Sequence, residues 1–138
     1  MRRSFHASLA ITICLAVLLP ACGDSSLASV NRLLDARDAA ISERNITNYA
    51  SLIAENYHGR QQSKSVMVVQ MNRLFEQFNQ LKMESFGRDI YIADDSHARA
   101  AQSYRLKVLM DGNWREMLQR EELSLIRTDS GWQISSGL

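Results

Sequence analysis

The chain has 138 residues, 46% hydrophobic and 22% charged, a size and balance that imply one folded domain. Its 16 Lys and Arg against 15 Asp and Glu form no basic excess, which argues against a nucleic-acid partner held by phosphate contacts. The same balance gives an anionic membrane surface little to attract electrostatically.

The chain begins "MRRSFHASLAITICLAVLLPAC", with Arg2 and Arg3 ahead of an apolar stretch from about Ala7 to Leu19. That stretch is roughly 13 residues, the size of a signal-peptide core and short of the ~20 that span a bilayer. Pro20 ends any helix there, and the small Ala21 before Cys22 makes a cleavage site. Leu19-Pro20-Ala21-Cys22 resembles the lipobox of bacterial lipoproteins. That resemblance implies a signal peptide over 1–21, a diacylglycerol thioether on Cys22, and acylation of the new amine. The membrane, reached through that anchor, is then the first expected partner, since each buried methylene adds ~0.8 kcal/mol of membrane affinity. In the same family an Asp directly after the Cys favours inner-membrane retention. Here Gly23 follows Cys22 and Asp24 comes one place later. The expected location is the cell envelope, at the periplasmic face of the outer membrane in a Gram-negative host. Without residues 1–21 the chain carries 14 Lys and Arg against 15 Asp and Glu, near −1. Cys14 leaves with the leader and Cys22 is modified, so the domain relies on its core without a disulfide. About 110 residues can bury enough surface for that.

Residues 22–26 are the lipidated Cys and a short polar linker, and 27–138 the folded domain. "LASVNRLLDARDAAISERN" places Leu27, Val30, Leu34 and Ile41 at helical spacing, with Leu33 and Ala40 alongside. It predicts an amphipathic helix over about 26–44, capped by Ser25 or Ser26. "NITNYASLIAENYHG" predicts a second, shorter helix with Tyr49, Leu52, Ile53 and Asn56 on one face and Gly59 as its stop. Asn45-Ile46-Thr47 matches a glycosylation sequon, but Asn45 or Thr47 reads more simply as the cap. "SKSVMVVQMNRLFEQFNQL" predicts a third helix over about 64–81, with Met67, Met71, Leu74, Phe75 and Phe78 as its stripe. Such a stripe serves as core, and Met also suits the wall of a hydrophobic pocket.

From Leu81 the apolar period changes to two. "KMESFGRDIYIA", "HARAAQSYRLKVLM", "WREMLQREELSLIR" and "WQISS" predict four strands, parted by "DDS", "DGN" and "TDSG". Turns this short require antiparallel pairing. The fold class is therefore α+β, with three N-terminal helices packed on one face of a curved four-stranded antiparallel sheet.

This order, the domain length and the closing hairpin "REELSLIRTDSGWQISSGL" resemble the nuclear transport factor 2-like superfamily, which includes ketosteroid isomerase-like and SnoaL-like proteins. "NYASLIAENYHGR" looks like its second helix and "GWQI" like its closing strand. The resemblance implies a sheet wrapped around helices that leaves a cone-shaped pocket.

An Asp111-Gly112 two-residue turn sets Leu106 opposite Met117, Ala100 opposite Leu123 and Ala98 opposite Leu125 on one apolar face. Lys107 opposite Glu116 and Ser103 opposite Arg120 then face water. The same register puts Tyr104 opposite Gln119 and Gln102 opposite Glu121 in the middle of the apolar face. Unsatisfied there, each buried polar group would cost roughly 1–3 kcal/mol. A solvated pocket explains them, and so does a β-bulge near Arg120–Glu122 that turns some outward. The last hairpin sets Leu125 against Ile134 and Arg127 against Trp132. In the first strand Ile90 and Ile92 conflict in parity with Leu81 and Met83, and a bulge near Gly87 reconciles them. Whether Arg88 or Asp89 then faces inward stays open.

The candidate pocket comprises Tyr49, Tyr57, His58, Gln102, Tyr104, Gln119 and Glu121. Glu121, Tyr104 and His58 are its candidate acid–base groups, because a carboxylate in an apolar pocket gains a raised pKa and His titrates near neutrality. The plainer reading packs Tyr57 in the core and leaves His58 beside a helix end. No complete catalytic set of the resembled family maps onto this chain. His58 and His97 are far apart, "DDSH" at 94–97 reads as a solvated turn, and neither a metal nor a cofactor is expected. Three functions fit: a tethered non-enzymatic domain binding a small apolar ligand or an envelope protein; a ketosteroid isomerase- or dehydratase-like proton-transfer enzyme; and an assembly module that forms a homodimer through its sheet.

Overall fold

Ser25 opens the first helix by accepting the Ala28 N–H on its Oγ at 3.2 Å, satisfying one of the free donors of the first turn. The computed structural model describes residues 25–138. The expected signal peptide over 1–21 and Cys22 lie outside the described residues. Helix α1 (Ser26–Ser42) buries Val30, Leu33, Leu34, Ala40 and Ile41, while Leu27 at its start stays 49% exposed. It closes with Arg44 in the left-handed region, where the Arg44 and Asn45 N–H groups donate back to the Ile41 and Ala40 carbonyls.

Helix α2 (Ile46–Ser51) is capped by Asn45 Oδ1, which accepts the Asn48 N–H at 3.0 Å. It is much shorter than its sequence pattern implies, and Gly59 is not its stop. The chain leaves the helix because Ile53 pairs with Ile134 of the sheet: the Ile134 N–H donates to Leu52 O and the Ala54 N–H to Ile134 O. Ile53 and Tyr57 become buried that way, whereas Asn56 is exposed. Helix α3 (Lys64–Gln77) buries Met67 and Phe75, with Met71, Leu74 and Phe78 packed at the edge of the core.

Four strands follow as an antiparallel meander in the order β1-β2-β3-β4: Leu81–Ile92, His97–Met110, Asn113–Thr128 and Gly131–Ser136. The fold is the expected α+β arrangement. β2 and β3 pair without interruption from His97↔Ile126 to Met110↔Asn113, through the expected Asp111-Gly112 turn with φ of 50° and 75°. No bulge interrupts Arg120–Glu122, so the polar pairs of the inner face stay on it. The β1–β2 register does shift between Phe86 and Asp89, at Gly87 with φ 62°, and this lets Leu81, Met83, Ile90 and Ile92 all join the core side. Arg88 turns inward and Asp89 is exposed. Leu125↔Ile134 and Arg127↔Trp132 close the sheet, with a further shift next to Ser124.

Helices and sheet enclose one core, centred on Val30, Leu34, Tyr49, Ile53, Leu123, Leu125 and Ile134. Residues 111–120 reach past it and are exposed throughout, so Met117 is 43% exposed although it shares the inner face with Leu106.

Two glycines bracket the sheet and differ in their surroundings. A methyl added to Gly137 (φ 102°) would sit 2.1 Å from the Glu122 carbonyl oxygen, while one added to Gly87 meets nothing within 4 Å. Gly137→Ala should therefore cost about 3 kcal/mol through backbone strain and overlap, and Gly87→Ala only about 1 kcal/mol. Urea denaturation followed by circular dichroism should rank them in that order.

Candidate functional site

Arg37 falls on the buried stripe of α1, where its neighbours on that face are Val30, Leu33, Leu34, Ala40 and Ile41. Isolated, such a buried cation would be prohibitively costly. It is met by Glu121 of β3, whose two oxygens accept from Arg37 Nη1 and Nη2 at 2.5 and 2.9 Å. The two side chains are 6% and 8% exposed. Burial opposes the Arg37 charge, but the hydrogen bonds and charge of Glu121 outweigh it and hold the guanidinium above its ordinary pKa. The Arg37 guanidinium also lies 5.9 Å from the centre of the Tyr104 ring.

The remaining polar groups of the inner face extend this pair into a network. Gln102 Nε2 donates to Glu121 Oε1 at 2.7 Å and lies 3.2 Å from Ser85 Oγ. Gln102 Oε1 accepts from Arg88 Nε at 3.0 Å, and Arg88 Nη1 reaches Asp35 Oδ1 at 2.6 Å. Asp38 accepts from the Ser85 N–H and Oγ, both at 2.8 Å, which ties α1 to β1. Every polar member is thereby partnered except Arg37 Nε.

Beside this network a recess of about 340 Å³ opens between the sheet and the loop after α2. Tyr104, Gln119 and Glu121 reach it from the inner face, Arg60 from the loop, and Gly137 and Leu138 from the closing segment. Tyr104 Oη donates to Gln119 Oε1 at 2.8 Å and not to Glu121. Burial, then the charge of Glu121, raises the Tyr104 pKa, so at neutral pH it is a hydroxyl. A larger groove of about 520 Å³ runs along Ala50, Glu55 and the Ser63–Val69 side of α3, but it is open and lies outside the sheet's inner face.

Of the residues proposed from sequence, Tyr104, Gln119 and Glu121 come together at this recess. Gln102 lies 1% exposed within the network rather than on the recess wall. Tyr49 is buried beside Arg37, and burial pushes its hydroxyl pKa up to about 12. Tyr57 is also buried: its hydroxyl donates to Leu138 O at 3.2 Å and accepts the Leu138 N–H at 3.0 Å. His58 is exposed, its N–H donating to Ser135 O and its Nδ1 3.2 Å from Asn56 O. Around His97, Asp94 accepts the Ser96 and His97 N–H groups and the His97 ring in an exposed turn. Among the described residues no three His, Cys, Asp or Glu side chains gather as a metal site would require.

Arg37 and Arg60 were not singled out by sequence as members of the site, and Arg88 stood there only as an alternative to Asp89 for the inward position. Arg37 had a visible signal, being the one charge on a stripe spaced 30, 33, 34, 37, 40, 41. Arg60 had none, because its position depends on the pairing of the segment after α2 with β4.

No family model matches the sequence, and no curated protein matches it significantly. Solved structures do resemble it. A nuclear transport factor 2-like superfamily protein from Salmonella enterica superimposes with a TM-score of 0.71 at 11% identity, over 81% of this chain and 87% of that one. A candidate dehydratase of the same family from Streptomyces avermitilis gives 0.71 at 12% identity, over 83% and 94%. A candidate calcium/calmodulin-dependent protein kinase II association domain from Xanthomonas campestris gives 0.70 at 21% identity, over 86% and 88%. At these identities the likeness defines the class of fold: residues 25–138 form a nuclear transport factor 2-like α+β cone.

Glu121→Gln strands the Arg37 charge and should destabilise the chain by about 3–5 kcal/mol. The double variant Arg37→Met with Glu121→Leu should recover most of that loss in the same urea titration, since apolar replacements of similar size often match a buried pair. Tyr49 gives a second check. Native Tyr49 keeps its proton between pH 10 and about 12, where the unfolded chain has released it. Its contribution is whole below pH 10 and is lost as pH climbs toward 12, by up to about 1.4 kcal/mol per pH unit. Tyr49→Phe should flatten that part of the stability profile.

Proposed function

We propose that this protein is a cell-envelope lipoprotein, anchored through Cys22, whose cone-shaped domain binds a small molecule without transforming it. The observation that carries the binding reading is the state of Glu121. Both its oxygens are engaged by Arg37, and one also by Gln102. A general base must be free to approach the proton it takes. Glu121 could do so only by abandoning a buried cation. Tyr104 is occupied with Gln119, and His58 lies outside the recess. The three candidate acid–base groups therefore do not form a catalytic set, although one structurally similar protein is described as a candidate dehydratase.

The recess volume falls at the small end of ligand sites, which run to about 300–1,000 Å³. Its hydroxyl, amide and guanidinium groups favour a polar ligand over the apolar one expected from sequence, and favour a small molecule over an envelope protein. The apolar leader, the Leu19-Pro20-Ala21-Cys22 box and the short polar linker support anchoring in the cell envelope, and Gly23 directly after Cys22 favours the periplasmic face of the outer membrane in a Gram-negative host.

The full chain, extracted from host membranes in mild detergent and sprayed under native conditions, should carry a small-molecule adduct. Tyr104→Phe combined with Gln119→Leu should reduce its occupancy several-fold. Cys22→Ser should abolish lipid labelling and release the chain to the soluble fraction. A wild-type chain with no adduct would overturn the binding reading, and a soluble, unlabelled wild type would overturn the anchor.

A further inference from the structure

We infer that Arg60 reads the acid group of the ligand, which makes that ligand a small monocarboxylate with an uncharged polar group at its other end. This rests on the recess being a binding site and adds what the site selects.

Arg60 sits in a turn that its sequence does not favour. The Gly59 N–H donates to Gln62 O and the Gln62 N–H to Gly59 O, closing a two-residue turn around Arg60 and Gln61. Both central residues are left-handed, with φ of 45° and 63°. Such turns ordinarily use Asn-Gly, because side chains resist that region. Strain of this kind persists only where the surroundings impose it. Here a buttress does so. The Gly59 backbone packs so closely on Tyr57 that an added methyl would lie 2.3 Å from the hydroxyl, and that hydroxyl is clipped to both polar groups of the Leu138 backbone.

The turn delivers Arg60 to the recess mouth, near enough for its charge to act on Tyr104. Among the described residues Arg60 has no ion-pair or hydrogen-bond partner. It is the charged side chain that the loop after α2 adds to that site. Arg37 and Glu121 cancel each other. Arg120 and Glu122 touch the recess rim, but strand alternation sends their side chains to the outer face, with Ser103 and Ala101 opposite. One unpaired guanidinium fork matches one carboxylate. Gln119 Nε2 donates only to the Met117 sulfur at 3.2 Å and has a second N–H to offer, while Tyr104 Oη donates to Gln119 and can still accept. These groups suit the uncharged polar end of the ligand.

The test uses para-hydroxyphenylacetate as the charged probe and its primary amide as the uncharged one, titrated into the full chain in detergent. Chemical shifts of the Tyr104 ring and Gln119 side-chain amide report binding. The carboxylate should bind at least about tenfold more tightly than the amide. Arg60→Gln should bring it down to the amide's affinity and leave the amide unchanged, Arg60→Lys should recover part of the difference, and Arg120→Gln should change neither. If both probes bind alike, or Arg60→Gln has no effect, the role of Arg60 is overturned while the recess stands as a binding site. If neither probe shifts Tyr104 or Gln119, both readings fall together.

Discussion

The contact between Arg37 and Glu121 constrains the domain more than any other. Two charges removed from water repay their desolvation only in good geometry, and a guanidinium meets a carboxylate bidentately in one relative orientation. Helix α1 must therefore present Arg37, and not the position before or after it, to the sheet. The β2–β3 hairpin must hold Glu121 opposite Gln102, because Gln102 supplies the third donor to that carboxylate. A two-residue slip would keep the apolar pattern but leave the pair unmet. Apolar burial drives collapse without direction, so we take the ion pair to select among the arrangements that burial permits.

The same contact bears on chemistry. A carboxylate deep in a cone-shaped fold is an obvious candidate base, and its chemistry depends on what else touches it. Glu121 reaches the recess but is spoken for on both oxygens. The network continues through Gln102 to Arg88, Asp35 and Asp38, so its polar groups brace two strands against α1 and do not converge on open space. What lines the recess is a neutral hydroxyl, an amide with a spare donor, and a guanidinium from the loop after α2.

Much of the fold was legible in the sequence because the strongest signals were periodic and local. Alternation in Ala98, Ala100, Leu123 and Leu125, with an Asp-Gly turn between their strands, favours a two-residue turn over a three-residue one, and the register it sets is the one observed. The parity conflict between Met83 and Ile90 demanded an extra residue, and Gly87 provides the bulge. The reading failed where a distant partner decided the outcome. Residues 52–57 carry a helical pattern, yet the backbone groups of Ile134 draw Leu52 and Ala54 out of the helix. The polar groups at 102, 104, 119 and 121 were placed on the correct face, but the cation that satisfies Glu121 comes from α1, 84 residues away in sequence. Hairpin register reports only on the two strands it joins.

That failure also shows why the recess sits where it does. Had α2 continued to Gly59, its helical hydrogen bonds would have kept the carbonyl of Leu52 and the N–H of Ala54 from β4. Unwinding instead docks the chain on Ile134, buries Tyr57, and sets its hydroxyl between the Leu138 backbone and the bare Cα of Gly59. The chain must then reverse within two residues to enter α3 at Lys64, and only left-handed conformations at Arg60 and Gln61 accomplish this with the Gly59–Gln62 bridge intact. The strain in the turn is a consequence of the docking. A glycine at either position would relieve it, but a glycine at 60 would also remove the charge that lines the recess together with Tyr104.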